Sequence, residues 1–224
     1  MRFLRYRFTL ALAILLTCGA LAPAQTAASA PAQHRATSTP YAGDLSIFET
    51  PGRDERLHID RVMDILGVTP GKSVADIGAG SGWFTVRAAK RVGDTGKVYA
   101  VDINPAAIKY IDERIQKDHI ENIKTIVSKP DNPLLPPDSV DAVLLLKTYH
   151  EVAEPSALLR NLQPALRPGA RVGIIDRDGN GEDHGVHKII VLHEAADAGY
   201  RLVEEHDDLV KDDKVDYFLV LAPR

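Results

Sequence analysis

Apolar residues recur along the chain with two spacings, one typical of helices and one typical of buried strands. Ile59, Val62, Met63 and Leu66 stand at i, i+3, i+4 and i+7, and a glycine follows them. This spacing predicts a helix with one apolar face that ends at the glycine. Residues 139–146 instead read SVDAVLLL, a continuous apolar run that predicts a strand covered on both faces.

Predicted strands and helices alternate along most of the chain, from residue 47 onward. A helix carrying Leu159, Leu162 and Leu166 is predicted to end at Pro168-Gly169, and other helices are predicted at 82–92, after Pro105 and at 188–198. The predicted strands are 73–77, 97–102, 123–128, 139–146 and 171–176, with 201–205 and 215–221 close enough to pair as a hairpin.

This alternation predicts an α/β domain with a doubly wound, mostly parallel seven-stranded sheet. Strands that alternate with helices form parallel sheets, because each helix carries the chain back across the sheet. The last two strands follow each other without a helix, so we expect them to form a C-terminal antiparallel β-hairpin. We find no internal repeat in the chain.

The first 45 residues have a different composition. MRFLRYR supplies three arginines, TLALAILL is an apolar run of secretory length, and Ala22-Pro23-Ala24 resembles a cleavage site. We therefore expect a signal peptide at 1–24 and export, most simply to the periplasm, with an uncleaved membrane anchor as the alternative. Residues 25–45, rich in Ala, Ser, Thr and Pro, predict a flexible linker, and 46–224 form the domain.

Composition narrows the classes of function. The chain has 224 residues, 45% of them hydrophobic, and a formal net charge of −4 without a run of five basic residues. A nucleic-acid partner is disfavoured, because phosphate binding requires concentrated positive charge. Cys18 is the only cysteine and lies in the predicted signal peptide. The mature domain would then have no disulfide and no cysteine nucleophile.

The loop DIGAGSGWF follows the first predicted strand, where open α/β sheets bind their ligands. Its glycines, Gly78, Gly80 and Gly82, alternate, and Trp83 occupies the position where the dinucleotide fingerprint requires a third close-packing glycine. No Gly-Lys-Ser/Thr follows, which excludes a P-loop. The loop therefore favours a ligand other than a dinucleotide or a nucleoside triphosphate.

Two acids refine the choice of ligand. Asp102 ends the second predicted strand, where a carboxylate can accept the hydroxyls of a ribose. Asp76 precedes the glycine loop, where its charge would repel a pyrophosphate and attract a cation. An adenosine without phosphates and with a positively charged end describes S-adenosylmethionine.

Several motifs together resemble class I S-adenosylmethionine-dependent methyltransferases, over about residues 47–224. VADIGAGSGWFT resembles the signature loop of that family, VYAVDINP its second-strand motif, SKPDNPLLPPDSVDAV its adenine-side segment and ALRPGARVGIID its fifth-strand segment. FETPGRDERLHIDRVMDILGV and LLLKTYHEV resemble a bacterial subgroup of small methyltransferases that often carry export signals. The resemblance implies a Rossmann-like methyltransferase fold.

The resemblance also implies a cofactor site. In it the glycines shape the loop under the methionine part, Asp76 meets the amino group and Asp102 holds the ribose. Ile103 packs on the adenine, Asp131 accepts from the adenine amino group, and Lys147 contributes its backbone carbonyl. The implied cofactor residues are Asp76, Gly78, Gly80, Gly82, Asp102, Ile103, Asp131 and Lys147.

Tyr149 and His150 follow the fourth predicted strand, where the transferring methyl group should lie. A histidine there could take a proton from an acceptor hydroxyl or amine, which makes His150 and Tyr149 the catalytic candidates. The alternative is that both residues only begin the next helix. Upstream, Glu49, Arg53 and Arg56 could fold over the site as a lid, with solvated charges at a helix start as the alternative for Arg56 and Arg53.

Residues 176–187 read DRDGNGEDHGVH and resemble a calcium-binding loop. His187 occupies the twelfth position, where a bidentate glutamate is required, and the loop is predicted to lie between a strand and a helix. Its histidines and acids could also bind a transition metal. We favour a polar loop that borders the substrate and expect no metal.

These observations predict an exported methyltransferase that uses S-adenosylmethionine to methylate a small molecule. The oligomeric state and the acceptor are left open. The alternative from another class is a non-catalytic protein that binds S-adenosylmethionine or its demethylated product, and a nicotinamide oxidoreductase ranks third.

Overall fold

Seven strands form one sheet in the order β3-β2-β1-β4-β5-β7-β6. The computed structural model describes residues 35–210 and 215–224. The first five strands are parallel, and β7 runs antiparallel to both β5 and β6. The strands are β1 Ser73–Ile77, β2 Lys97–Asp102, β3 Ile123–Val127, β4 Val140–Leu146, β5 Leu166–Asp176, β6 Tyr200–Glu205 and β7 Tyr217–Pro223.

Helices cover both faces of the sheet. Side chains of α2 and α3 pack with β1, β4 and β7 in one apolar cluster, and those of α5 and α6 pack in another on the opposite face. The predicted doubly wound fold with a C-terminal hairpin is confirmed. The helices are α1 Arg53–Arg56, α2 Ile59–Leu66, α3 Trp83–Val92, α4 Pro105–Asp118, α5 Pro155–Leu162, α6 Lys188–Asp197 and α7 Asp207–Val210.

The helix predicted through Leu166 is shorter than its leucine pattern indicated. Helix α5 ends at Leu162, and a 3-10 turn at Gln163–Ala165 leads into β5, which begins at Leu166. Pro164 lacks the N–H that would continue the helical hydrogen bonds. Pro168-Gly169 then lies within β5, where the register against β4 shifts between Val140 and Ala142.

The amino-terminal part of the described chain packs against the domain, although the sequence predicts a flexible linker up to residue 45. Arg35 Nη2 donates to the Tyr149 carbonyl oxygen at 2.6 Å, and Arg35 Nε donates to Glu194 at 2.9 Å. The predicted signal peptide and residues 25–34 of the linker lie outside the described residues. None of the helices in the described ranges has the length and apolar content that crossing a bilayer requires.

The order of the strands fixes where a ligand can enter. From β1 the chain moves outward to β2 and β3, then returns to the other side of β1 for β4 and β5. The strand order therefore reverses between β1 and β4, and the loops at their carboxyl ends diverge there. Open α/β sheets bind ligands at this point.

Candidate functional site

A cavity of about 710 Å³ lies at the carboxyl ends of the parallel strands, beside the reversal between β1 and β4. The loops after β1, β2, β4 and β5 contribute to its walls, together with residues 37–53. Ligand pockets in proteins usually measure about 300–1,000 Å³. Its position and size make this cavity the candidate ligand site.

The glycine loop between β1 and α3 adopts a left-handed backbone, which glycine tolerates more readily than other residues do. Gly78, Gly80 and Gly82 have φ angles of 75°, 55° and 75°, all in the left-handed region. The Gly78 N–H donates to the Val101 carbonyl oxygen at 2.8 Å and holds the loop against β2. Gly78 and Gly80 line the cavity. Gly82 instead lies at the start of α3, where it faces the side chain of Ile111 in α4.

We expect Gly78→Ala to lower the free energy of unfolding by about 2–4 kcal/mol, because overpacking adds to the cost of the left-handed backbone. A Cβ at Gly78 would overlap the Thr148 side chain. Gly67→Ala is the matched control, since Gly67 has a φ of 74° and open space around it. It should cost about 1–2 kcal/mol from backbone strain alone. Equal losses in urea denaturation would contradict the predicted collision.

Asp102 ends β2 with its carboxylate held by two backbone groups. Gly80 N–H donates to Oδ2 at 2.9 Å, and Asn104 N–H donates to Oδ1 at 2.8 Å. Burial raises the pKa of Asp102, and these donors oppose the rise. Each oxygen keeps a second lone pair. The carboxylate can therefore accept the two hydroxyls of a ribose at the cavity wall.

Asp76 lies within β1 and is almost fully buried at the cavity wall. Thr85 Oγ1 donates to its Oδ2 at 2.6 Å. Burial raises the pKa of Asp76 to about 7, the Asp102 carboxylate adds to the rise, and Thr85 and Arg53 oppose it. A cationic group of a ligand would stabilise the ionised carboxylate.

The remaining predicted cofactor residues differ in where they lie. Ile103 lines the cavity and is 42% exposed, so its apolar surface is available to a flat ring. Lys147 also lines the cavity and has a φ of 53°. Asp131 does not line it, and its backbone carbonyl accepts a hydrogen bond from Asn161 at 2.8 Å. The structure thus brings the predicted cofactor residues to the cavity except Gly82 and Asp131.

Residues 41–49 form part of the cavity wall next to the glycine loop. The Tyr41 and Phe48 rings meet edge to face with centroids 5.3 Å apart, and both line the cavity. Glu49 Oε1 accepts from the Ser81 hydroxyl at 2.8 Å and from Arg114 at 2.6 Å. Glu49 therefore ties this segment to the glycine loop and to α4, which agrees with the lid interpretation.

Trp83 explains why the loop departs from the dinucleotide fingerprint. The guanidinium carbons of Arg53 and Arg87 lie 4.3 and 4.1 Å from the centre of its ring. Arg53 is buried and donates to the Phe48 carbonyl oxygen at 3.0 Å. The indole of Trp83, at the start of α3, thus packs between the side chains of Arg53 and Arg87. The residue at the position of the third fingerprint glycine therefore holds α1 against α3.

His150 is buried at the cavity wall in the 3-10 turn Tyr149–Glu151, after β4. Its Nδ1 lies 2.8 and 3.0 Å from the two carboxylate oxygens of Asp176, and its backbone N–H donates to Asp176 Oδ2 at 3.0 Å. A carboxylate only accepts, so we assign the imidazole proton to Nδ1. Nε2 then carries a lone pair that is available to a ligand.

Tyr149, predicted beside His150 as a catalytic residue, does not line the cavity. Its side chain is fully buried in the apolar cluster of α5 and α6, and Arg35 lies 5.5 Å from its ring centre. Burial and the neighbouring Glu194 carboxylate raise the pKa of Tyr149 well above its usual value. Tyr149 therefore packs in the core, and of the two predicted catalytic residues only His150 lines the cavity.

Two cavity residues near His150 were not predicted as site residues, Glu151 and His184. Glu151 Oε1 lies 3.8 Å from His150 Nε2, and the rings of His150 and His184 meet edge to face with centroids 5.8 Å apart. Burial raises the pKa of Glu151 to about 7, although His150 lowers it. His184 lies in the loop that resembled a calcium site, and the only signal for it in the sequence was the prediction that this loop borders the substrate.

The walls of the cavity fit S-adenosylmethionine. Two carboxylates, that of the buried Asp76 and that of the half-buried Asp102, provide acceptors for a cationic group and for ribose hydroxyls. Ile103 provides an apolar surface for an adenine. Asp76 lies next to the glycine loop, where a dinucleotide would place its pyrophosphate, so its negative charge disfavours a nicotinamide cofactor.

Comparison with known proteins agrees with this assignment. A family model described as a methyltransferase domain matches residues 68–217. The ubiquinone/menaquinone biosynthesis C-methyltransferase UbiE of Escherichia fergusonii is 28% identical over 115 residues, which cover 51% of this chain and 46% of that protein. The chain thus spans about half the length of the curated relatives that it matches.

Solved structures extend the similarity to most of the fold. A SAM-dependent methyltransferase from Aquifex aeolicus is 26% identical with a TM-score of 0.70, over 80% of this chain and 98% of that one. Aeropyrum pernix fibrillarin with natively bound S-adenosyl-L-methionine is 17% identical with a TM-score of 0.54, over 69% of this chain and 68% of that one. Because the family model covers well over half of the sequence, this chain belongs to the methyltransferase-domain family.

Proposed function

We propose that this S-adenosylmethionine-dependent methyltransferase transfers a methyl group to a small molecule bound next to His150. The observation that carries the proposal is one cavity that holds the carboxylates of Asp76 and Asp102 at its β1–β2 end and His150, hydrogen-bonded to Asp176, at its other end. The carboxylates at the β1–β2 end suit the cofactor, and His150 with Asp176 suits an acceptor.

The cofactor would be held by residues of β1, β2 and the loops that follow them. Asp76 would face its amino group, Asp102 its ribose and Ile103 its adenine, while Gly78 and Gly80 let the loop approach it. S-adenosylmethionine supplies an electrophilic methyl group on a sulfonium. The protein supplies proximity and orientation, which can contribute about 7–11 kcal/mol to such a displacement.

The acceptor would lie among the loop after β4, the loop after β5 and residues 37–53. These short segments border the cavity, and the described chain has no inserted domain that could form a separate substrate site. The acceptor would therefore be small enough to enter this cavity beside the cofactor.

His150 is placed to receive a proton from the acceptor. Asp176 orients the ring and holds the proton on Nδ1, so Nε2 is the basic atom. A positioned general base contributes about 10²–10⁴-fold to the rate when the acceptor must lose a proton.

We expect His150→Ala to lower kcat by about 10²–10⁴-fold and to leave cofactor affinity within about threefold of the unsubstituted protein. Transfer of a radiolabelled methyl group to a panel of phenols, quinols, amines and carboxylates would identify the acceptor first. His58→Ala serves as the control, because His58 lies on the surface next to α2. Unchanged turnover of His150→Ala would remove His150 as the base, and labelled cofactor bound without transfer to any acceptor would favour a non-catalytic binding protein.

We also propose export, on the basis of the signal-like composition of residues 1–24. Such a location requires a supply of cofactor outside the cytoplasm. Fractionation of cells that produce the full chain, with the amino terminus of the mature protein sequenced, would test it. Recovery of the intact chain in the cytoplasm would contradict it.

A further inference from the structure

We propose that His150, Glu151 and His184 bind one divalent cation of the zinc class at the acceptor end of the cavity. A nitrogen of each histidine and an oxygen of Glu151 lie within 4.8 Å of one another. Ligands at about 2.0–2.1 Å from a tetrahedral ion stand near 3.4 Å apart, so modest side-chain rotation would close the site. His184 is exposed and can make that adjustment.

His150 carries the feature that orients metal-binding histidines in proteins. A histidine that binds a metal through one nitrogen usually donates its other N–H to a carboxylate or a carbonyl. In His150 that partner is Asp176, which accepts from Nδ1 at 2.8 Å and from the backbone N–H at 3.0 Å. The ring is therefore fixed with the Nε2 lone pair free, 3.8 Å from Glu151 Oε1.

A buried serine ties together the two loops that supply the ligands. The Ser38 N–H donates to the His150 carbonyl oxygen at 3.2 Å, and Ser38 Oγ accepts from the His184 N–H at 3.0 Å. The same hydroxyl donates to the Gly181 carbonyl oxygen at 2.9 Å. Ser38 thus sets the distance between the loop after β4 and the loop after β5, and the ligands need not be brought together by the ion alone.

The ligand set indicates which ion the site prefers. Two imidazoles and one carboxylate, without a thiolate, match the sites of catalytic zinc and of other first-row divalent ions, whereas calcium prefers oxygen ligands alone. The three residues line the cavity. The fourth position of a tetrahedral ion would therefore be open to an oxygen atom of a small molecule.

This site revises the expectation that the protein holds no metal, and it differs from the calcium-like pattern in the sequence. In that loop, Asp178 accepts from the Lys188 N–H at 2.9 Å and Asp183 from the Asn180 N–H at 3.1 Å. These carboxylates therefore stabilise the loop itself. His187 pairs with Asp178 at 3.3 Å, outside the proposed cluster.

Metal binding by the cluster is independent of methyl transfer, but use of the open position by the acceptor rests on the proposed function. An ion on Nε2 would take the place of a proton there. His150 would then act as a ligand and not as the base. The ion would lower the pKa of an acceptor hydroxyl at the open position, so that its proton passes to solvent before the methyl group is transferred.

The test is titration of chelator-treated, untagged full-length protein with Zn²⁺ by calorimetry and with Co²⁺ by visible absorption. We expect one ion per chain and the intense d–d bands of a four-coordinate Co²⁺ site. His184→Ala and Glu151→Gln should abolish both, and Asp176→Asn should weaken binding by about 10–100-fold. His187→Ala, from the same loop, should bind as the unsubstituted protein does.

Thermal unfolding and cofactor titration of each variant show whether it is folded. The proposal would be overturned if the folded unsubstituted protein did not bind one Zn²⁺ per chain. It would also be overturned if His184→Ala bound the ion as tightly as the unsubstituted protein, or if His187→Ala lost the ion. Zn²⁺ binding without binding of S-adenosylmethionine would sustain the metal site and contradict the proposed function. Binding of S-adenosylmethionine without binding of Zn²⁺ would overturn the metal site and leave the proposed function intact.

Discussion

Replacing Asp102 by alanine should weaken binding of S-adenosylmethionine by about 10²–10⁴-fold, since hydrogen bonds to a charged group contribute about 1.5–3 kcal/mol each and two are lost. The carboxylate is the acceptor for the ribose in our account. It also receives the Gly80 and Asn104 N–H groups at 2.9 and 2.8 Å. Its loss would therefore loosen the glycine loop as well as remove the ribose contacts.

The control for this experiment is Asp131→Ala. Asp131 was predicted to bind the adenine amino group, but it does not line the cavity. Calorimetric affinities within about threefold of the unsubstituted protein are expected for it, because a residue that does not touch the ligand costs little. A large loss in Asp131→Ala with normal binding by Asp102→Ala would reverse the two assignments.

The second large effect is expected at Asp76, where one substitution should change affinity and stability in opposite directions. At pH 8, Asp76→Asn should weaken cofactor binding by at least about 30-fold, because it removes the partner of a buried cation. It should also raise the free energy of unfolding of the ligand-free protein by about 1–3 kcal/mol, because an uncompensated buried carboxylate is costly. Urea denaturation and calorimetry measure the two effects.

The pH dependence of these effects follows from the pKa of Asp76, which burial raises to about 7. The folded protein therefore binds more protons at this carboxyl than the unfolded chain does between about pH 4 and 7, and its contribution to stability falls as the pH rises through that range. Thr85, Asp102 and Arg53 are the groups that act on it.

For the same reason, the affinity of the unsubstituted protein for the cofactor should fall by up to about tenfold per pH unit below pH 7. Asp76→Asn should remove most of that dependence. A variant that keeps the full pH dependence of affinity would show that Asp76 does not face the cationic group. A variant less stable than the unsubstituted protein at pH 8 would contradict the predicted cost of the buried carboxylate.

The parts of the fold that could be predicted from the sequence are those specified by local patterns. The continuous apolar run of β4 predicted a strand, and the helical spacing of apolar residues in α2 predicted a helix. The alternation of strands and helices along the chain then predicted a parallel sheet. The start of β5 was missed because the leucine at position 166 continues a helical spacing, while Pro164 had already ended the helix. The helix-ending effect of Pro164 could be recognised from the sequence alone. The pairing of Leu166 with Val140 could not, because it is a contact between distant segments.

The cofactor half of the site could also be predicted, since it lies on one loop and on the end of the next strand. Asp76, Gly78, Gly80 and Asp102 line the cavity as their positions in the sequence indicated. Asp131 follows β3, and the turn around it places its side chain outside the cavity wall, which no spacing in the sequence specifies.

The acceptor half depends on contacts between distant segments. His150 and Tyr149 are neighbours in sequence, yet Asp176 holds the first at the cavity and the core covers the second. His184 approaches His150 because Ser38 joins their loops. The residues in each of these contacts are more than 25 positions apart in the sequence, so periodicity and motif spacing could not reveal the contacts.

The most direct test of the account is parallel calorimetric titration of the purified, folded chain with S-adenosylmethionine, its demethylated product and NAD. We expect micromolar binding of the first two ligands and no binding of NAD, because the Asp76 carboxylate lies at the cavity wall where the pyrophosphate of NAD would have to bind. Binding of NAD alone, or of none of the three, would contradict the claim that this cavity is a site for S-adenosylmethionine.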